Sequence, residues 1–165
     1  MVLNCLCPLK KIVPCFNIVG MFTVKQIAKY FLALSDPKVG DIISNLKLQK
    51  LCYYGQGFHL AFYGTRLFPD KIEAWTHGPV IRELYQAYKK HGDGAIPLPE
   101  TFNISICDKK TQDLLNEVYA VYGQYSAWKL RNMTHEEAPW IEAKKSGRNI
   151  STIAMKEYFQ TLIKK

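Results

Sequence analysis

The chain has 165 residues, 48% of them hydrophobic and 22% charged, with a net charge of +8; this is the composition of one folded domain, not of a disordered chain. No apolar run approaches the roughly 20 residues of a membrane-spanning helix, and no segment repeats at a fixed period, so neither a membrane protein nor a solenoid is expected. The basic excess admits nucleic acid, an acidic protein or an anionic surface as partner, but the lysines are scattered in short pairs such as Lys89-Lys90 and Lys144-Lys145, without the basic stripe and interleaved aromatics of a nucleic-acid binder.

The elements follow in chain order. Residues 1–20 carry Cys5, Cys7 and Cys15, two prolines and no acidic residue. They read as an atypical extension, either a mis-assigned start or a disordered tail, with the domain spanning 21–165 from Met21. Lys10-Lys11 breaks the apolar stretch a signal peptide needs, and the cysteines lack the second ligand pair of a zinc site. Cys52 and Cys107 are the remaining cysteines, which suits a reduced, cytoplasmic protein.

From Met21 the pattern is mainly helical. Thr23 caps a helix with Val24, Ile27, Phe31 and Leu34 at helical spacing, which stops at Ser35-Asp36-Pro37. A second helix begins after Asn45, with Leu48, Leu51, Cys52, Gly55, Phe58, His59 and Phe62 on one face, and Gly64 ends it. Gly55 and Gly57 in mid-helix each cost about 1 kcal/mol relative to Ala, which close packing can offset. Residues 71–76 read as extended, and Pro79 is expected in the first turn of a helix carrying Leu84, Tyr85 and Tyr88. Phe102, Ile104 and Ile106 alternate with polar residues as in a half-buried strand. Asp108 caps a long helix with Leu114, Leu115, Val118 and Tyr122, and Ser126 caps a shorter one through Arg131.

Thr134 and Glu137 have capping-box spacing; the alternative is a turn at 135–138 with Pro139 opening a helix. A last helix runs from about Ser151. The fold class is therefore α+β: mainly α, with a small β component, in a single compact domain.

The search for chemistry finds little. Phosphate-binding glycine loops and the serine nucleophile elbow are absent from the sequence. His135-Glu136 opens like a zinc-protease motif, but Pro139 stands where the second His belongs. No metal and no cofactor are expected, and Cys52 or Cys107 has no designated histidine partner. His77 and His135 both stand at turns beside Trp and Pro. They could serve acid–base chemistry or bind an anion; the favoured reading is structural, each imidazole bonding a turn carbonyl while Trp75 and Trp140 fill the core. Glu136-Glu137 is read as the acidic start of a helix.

Three strings then align in order: residues 44–61 (SNLKLQKLCYYGQGFHLA), residues 73–80 (EAWTHGPV), and Leu130-Arg131 through Thr134-His135-Glu136-Glu137-Ala138-Pro139-Trp140. Together they resemble the Panacea domain, that of SocA-like antitoxins and of phage-associated GepA-type proteins, from about Phe22 to Tyr158. Ala138 departs from the glycine more usual in the family. The resemblance implies a non-enzymatic antitoxin of a two-gene module, often prophage-borne, that neutralises a protein toxin encoded next to it by direct binding. No direct DNA binding is expected. It also implies a shared scaffold and groove at Gln49, Lys50, Tyr53, Trp75, His77, Gly78, Pro79, His135, Pro139 and Trp140. Tyrosines such as Tyr53, Tyr54, Tyr63, Tyr85 and Tyr88 are candidates for the contact patch. The alternatives are a phage-associated adaptor that neutralises no toxin, and an enzyme built on the His77/His135 region.

Overall fold

Capping chemistry sets most helix boundaries. In the computed structural model, which describes residues 21–147 and 149–163, α1 spans Val24–Leu34. Thr23 accepts from the Gln26 N–H while the Gln26 side chain takes the Thr23 N–H, a reciprocal capping box. Helix α2 spans Asn45–Tyr63, capped by Ser44 and closed by Gly64 in the left-handed conformation. Helix α4 (Lys109–Tyr122) is capped by Asp108, and α5 (Ala127–His135) by Ser126. Helix α6 covers Ala138–Ser146 and α7 covers Thr152–Ile163. The expectations for the cysteine-rich residues 1–20 lie outside the described residues.

Between α2 and α4 lies the β component. Strands β1 (Glu73–Trp75) and β2 (Gly78–Val80) pair antiparallel, with Ala74 opposite Pro79. Asn149 bridges to Glu73, and the Ile150 N–H donates to the Ile72 carbonyl, tying the approach to α7 onto this hairpin. Helix α3 (Arg82–Tyr88) follows and ends in a 3-10 turn at Lys89–His91. The result is mainly α with a small β component, as the sequence indicates.

Three local expectations are corrected and one open alternative is decided. Pro79 does not open a helix: it lies in β2, and the helix starts three residues later, because pairing with β1 fixes the extended backbone there. Residues Ile104–Ile106 form a 3-10 turn, not a strand, with Ile104 and Ile106 exposed; no neighbouring strand is there to pair with them among the described residues. Helix α5 runs on past Arg131 to His135. Thr134 and Glu137 do not form a capping box: Glu137 precedes α6 without a side-chain cap, and Pro139 sits in its first turn.

Helix α2 is the centre of the molecule. Fourteen of its 19 residues are buried, so it is enclosed on all sides rather than on one apolar face. The other elements pack around it. Tyr54 stacks on Tyr122 of α4 at 3.9 Å between ring centres, and Phe58 meets Phe159 of α7 edge-on at 4.9 Å. Gly57 permits this closeness: a Cβ there would stand 2.4 Å from the Phe159 ring. Among the described residues, no helix is long and apolar enough to cross a membrane.

Candidate functional site

The polar residues of α2 clamp the segments around it. Gln49 accepts from the Ile81 N–H at 2.8 Å and so fixes the exit from β2. Gln56 accepts from the Leu67 and Phe68 N–H groups and donates to the Phe68 carbonyl. Lys50 is fully buried, and its Nζ donates to the Pro79 carbonyl at 2.9 Å. Gly78, at φ +99°, lies directly against it: a Cβ there would sit 2.8 Å from both the Lys50 Nζ and the Thr134 Oγ1. The glycine of the His77-Gly78-Pro79 string is thus required twice, by backbone conformation and by space.

Deeper in, Tyr53 and Tyr54 both donate to Glu137, at 2.7 and 2.9 Å. Glu137 is a buried carboxylate joining α2 to the α5–α6 junction. Burial raises its pKa to about 7 against the pull of the two phenols, and Lys50 opposes the rise only weakly. Burial likewise lowers Lys50 to about 7, with Arg131 adding to the fall and Glu137 countering it. Lys50 and Glu137 are close enough to feel each other but form no direct ion pair among the described residues. Each is satisfied by neutral partners instead, the arrangement that makes a buried charge tolerable.

Above this interior lies a surface built by β1, the hairpin turn, α5 and α6. Trp75 and Trp140 are half-buried. The Trp75 indole donates to Glu73 at 2.7 Å, and Arg82 forks onto the same carboxylate while lying over the Trp75 ring. Trp140 donates to the Trp75 carbonyl at 3.1 Å. His135 stacks on Trp140 at 3.9 Å, and His77, at the hairpin turn, points edge-on at Trp128 at 5.9 Å. The favoured structural reading changes in detail: among the described residues neither imidazole bonds a turn carbonyl, His135 stacking on Trp140 and His77 lying near Trp128, while Trp75 and Trp140 are half-buried rather than inside the core.

The expected scaffold residues are brought together. Gln49, Lys50, Tyr53, Gly78, Pro79 and Pro139 are buried, Trp75, His135 and Trp140 are half-buried, and His77 is exposed. Tyr53 and Tyr54 are interior, whereas Tyr63, Tyr85 and Tyr88 reach the surface in part. Burial pushes the Cys52 and Cys107 thiols up, Cys107 to about 11 and Cys52 further, so neither of these two is a ready thiolate. Among the described residues no group of three His, Cys, Asp or Glu side chains is placed to hold a metal.

Gln56, Glu137 and Trp128 were not singled out by sequence reasoning for these roles. Glu137 offered one signal, as an acidic residue directly before Ala-Pro. Gln56, in mid-helix between two glycines, offered none.

Comparison with known proteins gives this arrangement its relatives. A family model described as "Antitoxin SocA-like, Panacea domain" matches residues 48–141. The chain belongs to this family. The matched span runs from α2 into α6 and contains every residue of the scaffold named above, including the Lys50–Pro79 bond and Glu137. The chain is also 30% identical over 120 residues to the Antitoxin SocA of Caulobacter vibrioides (strain NA1000 / CB15N). That alignment covers 66% of this chain and 64% of the relative, so it spans a little under two thirds of that protein's length. No solved structure matches.

Proposed function

We propose that this protein is an antitoxin: it binds a protein toxin encoded by an adjacent gene, in the cytoplasm, and neutralises it by forming a complex. Residues 21–165 are the domain that does so, and a prophage-borne two-gene module is the setting the family suggests. The observation that carries this reading is the family match over residues 48–141, which coincides with the part of the structure where polar residues are used to build a scaffold. Binding function needs a stable frame and a contact surface of aromatic and Arg side chains, rather than a set of reacting groups.

The geometry favours a binder over an enzyme at the His77/His135 region. His135 is packed flat on Trp140 with Nε2 buried, and burial with nearby cations lowers its pKa. Its ring is thus committed to a stacking contact and poorly placed to exchange protons with a substrate.

The test is growth of cells induced for each neighbouring reading frame, with and without this chain. Arrest by one frame alone, rescue on co-expression and co-purification of the two proteins are the expected results. No toxicity from either frame would remove the antitoxin reading. Rescue without a complex would remove neutralisation by direct binding.

A further inference from the structure

Helix α5 carries Trp128, Arg131 and His135 at positions i, i+3 and i+7, on one face. Trp128 is 60% exposed, an unusual state for the largest apolar side chain. The Arg131 guanidinium lies 5.8 Å from its ring centre, and His77 approaches from the hairpin turn. The patch is therefore an open indole beside one guanidinium and one imidazole.

Its hydrogen-bonding groups are incompletely used. Arg131 Nε and His135 Nε2 are buried without a hydrogen-bond partner among the described residues, where the Tyr63 hydroxyl is the other such atom. An unmet buried donor or acceptor is costly, so such atoms call for an explanation. None of the ion pairs among the described residues involves Lys50, His77, Arg131 or His135. Glu137, the nearest buried carboxylate, is already occupied by Tyr53 and Tyr54. The charged groups acting on His135 are Arg131, Lys50, His77 and Lys144, all basic.

We infer that this face of α5 is the docking site for a protein segment carrying an Asp or Glu side chain next to an apolar residue, the carboxylate meeting Arg131 and the apolar group covering Trp128. Charge complementarity selects this occupant. Arg131 donates from Nη1 to the Asn132 side chain at 2.9 Å and still has charged N–H donors to offer a carboxylate, Trp128 gives the apolar area typical of an interface anchor, and the net charge of +8 draws in an acidic partner. Arg131 and His135 are each half-buried, so a docked group would exclude water from them. The inference rests on the partner-binding reading above and deepens it by naming the chemistry of the partner.

Two experiments separate the inference from that reading. The first needs no toxin: the full chain, labelled at its indole nitrogens, is titrated with a blocked peptide alternating Leu and Glu, and with its Leu/Gln counterpart. The acidic peptide should shift the Trp128 indole resonance and bind about tenfold or more tightly than the Gln peptide, with the preference lost in Arg131→Gln and weakened by salt. Equal response to both peptides overturns the inference, as does an oligonucleotide that shifts Trp128 where the peptide does not.

The second uses the neighbouring gene's product with Trp128→Ala, Arg131→Glu, Arg131→Lys and, as a charge-matched control elsewhere, Lys89→Glu. Wild type and Lys89→Glu should bind alike, Trp128→Ala and Arg131→Glu should lose about tenfold or more in affinity at an unchanged melting midpoint, and Arg131→Lys should recover part of the loss. Full binding by all four variants overturns the inference and leaves the antitoxin reading standing. Failure of the wild type to bind removes that reading, and the peptide titration alone then decides.

Discussion

Gly57 and Phe159 illustrate how single residues hold this fold. With no side chain on Gly57, α7 lays an aromatic ring directly on the backbone of α2, and an added methyl would stand 2.4 Å from that ring. Gly57→Ala should therefore lower unfolding stability by about 1–3 kcal/mol despite alanine's better helix propensity. Denaturant unfolding checks this, and an unchanged or raised midpoint would contradict the packing account. The two mid-helix glycines were legible in the sequence as a sign of close approach; that Phe159, a hundred residues away, makes the approach was not, because nothing local records a tertiary neighbour.

Lys50 and Glu137 make a second prediction at this scale. Lys50 titrates near 7 when folded, below its ordinary 10.5. Between those values the unfolded chain holds the extra proton, so stability rises with pH there. Glu137 titrates near 7 against an ordinary 4.5. Between those values the folded chain holds the extra proton, so stability falls as pH rises. The two contributions meet in a minimum near neutral pH. Lys50→Met should flatten the rise above neutrality and Glu137→Gln the fall below it, read from urea midpoints between about pH 4 and about pH 10. Curves parallel to wild type in both variants would show that neither group titrates as its burial dictates.

At the scale of elements, the helices whose ends are written in local chemistry were readable: the Thr23 cap, the Gly64 stop, and the Asp108 and Ser126 caps all lie where the sequence puts them, whereas the Ser44 cap was not read. What failed was reading that depends on neighbours. Alternation of Phe102, Ile104 and Ile106 signals a strand only if a partner strand exists, and Pro79 opens a helix only if β1 does not claim it first. The enclosure of α2 was also beyond local reading: Gln49, Lys50, Tyr53 and Gln56 lie off its apolar face. They are buried and hydrogen-bonded, so the stripe of apolar residues is one side of an enclosed helix.

Gln56 gives the sharpest test of that enclosure. It supplies the acceptor for two backbone N–H groups, of Leu67 and Phe68, in the loop after α2. Gln56→Leu fills similar space but strands both donors, at about 1–3 kcal/mol each. Hydrogen exchange at the Leu67 and Phe68 amides should accelerate by more than the global loss of stability explains. Exchange that tracks global stability alone would mean that the loop is held by packing and not by this side chain.

For the whole molecule, the family match and the structure point to the same region. The candidate scaffold was read from three strings in order through their resemblance to the family; that Gly78, Pro79 and Pro139 have backbone roles and that Lys50, Tyr53 and Trp140 have polar partners comes from the structure. The exposed face above it was less legible: Trp128 sits in a short polar helix whose sequence does not say which way the indole points. A basic protein with an aromatic, Arg-bearing face is suited to capturing an acidic partner. The proposed capture of a toxin is tested most directly by titrating the activity of the purified neighbouring-gene product with the full chain. Loss of activity that saturates at a fixed molar ratio, with both proteins eluting together, is the expected result. Activity that stays constant at every ratio, although the chain rescues cells, would rule out capture.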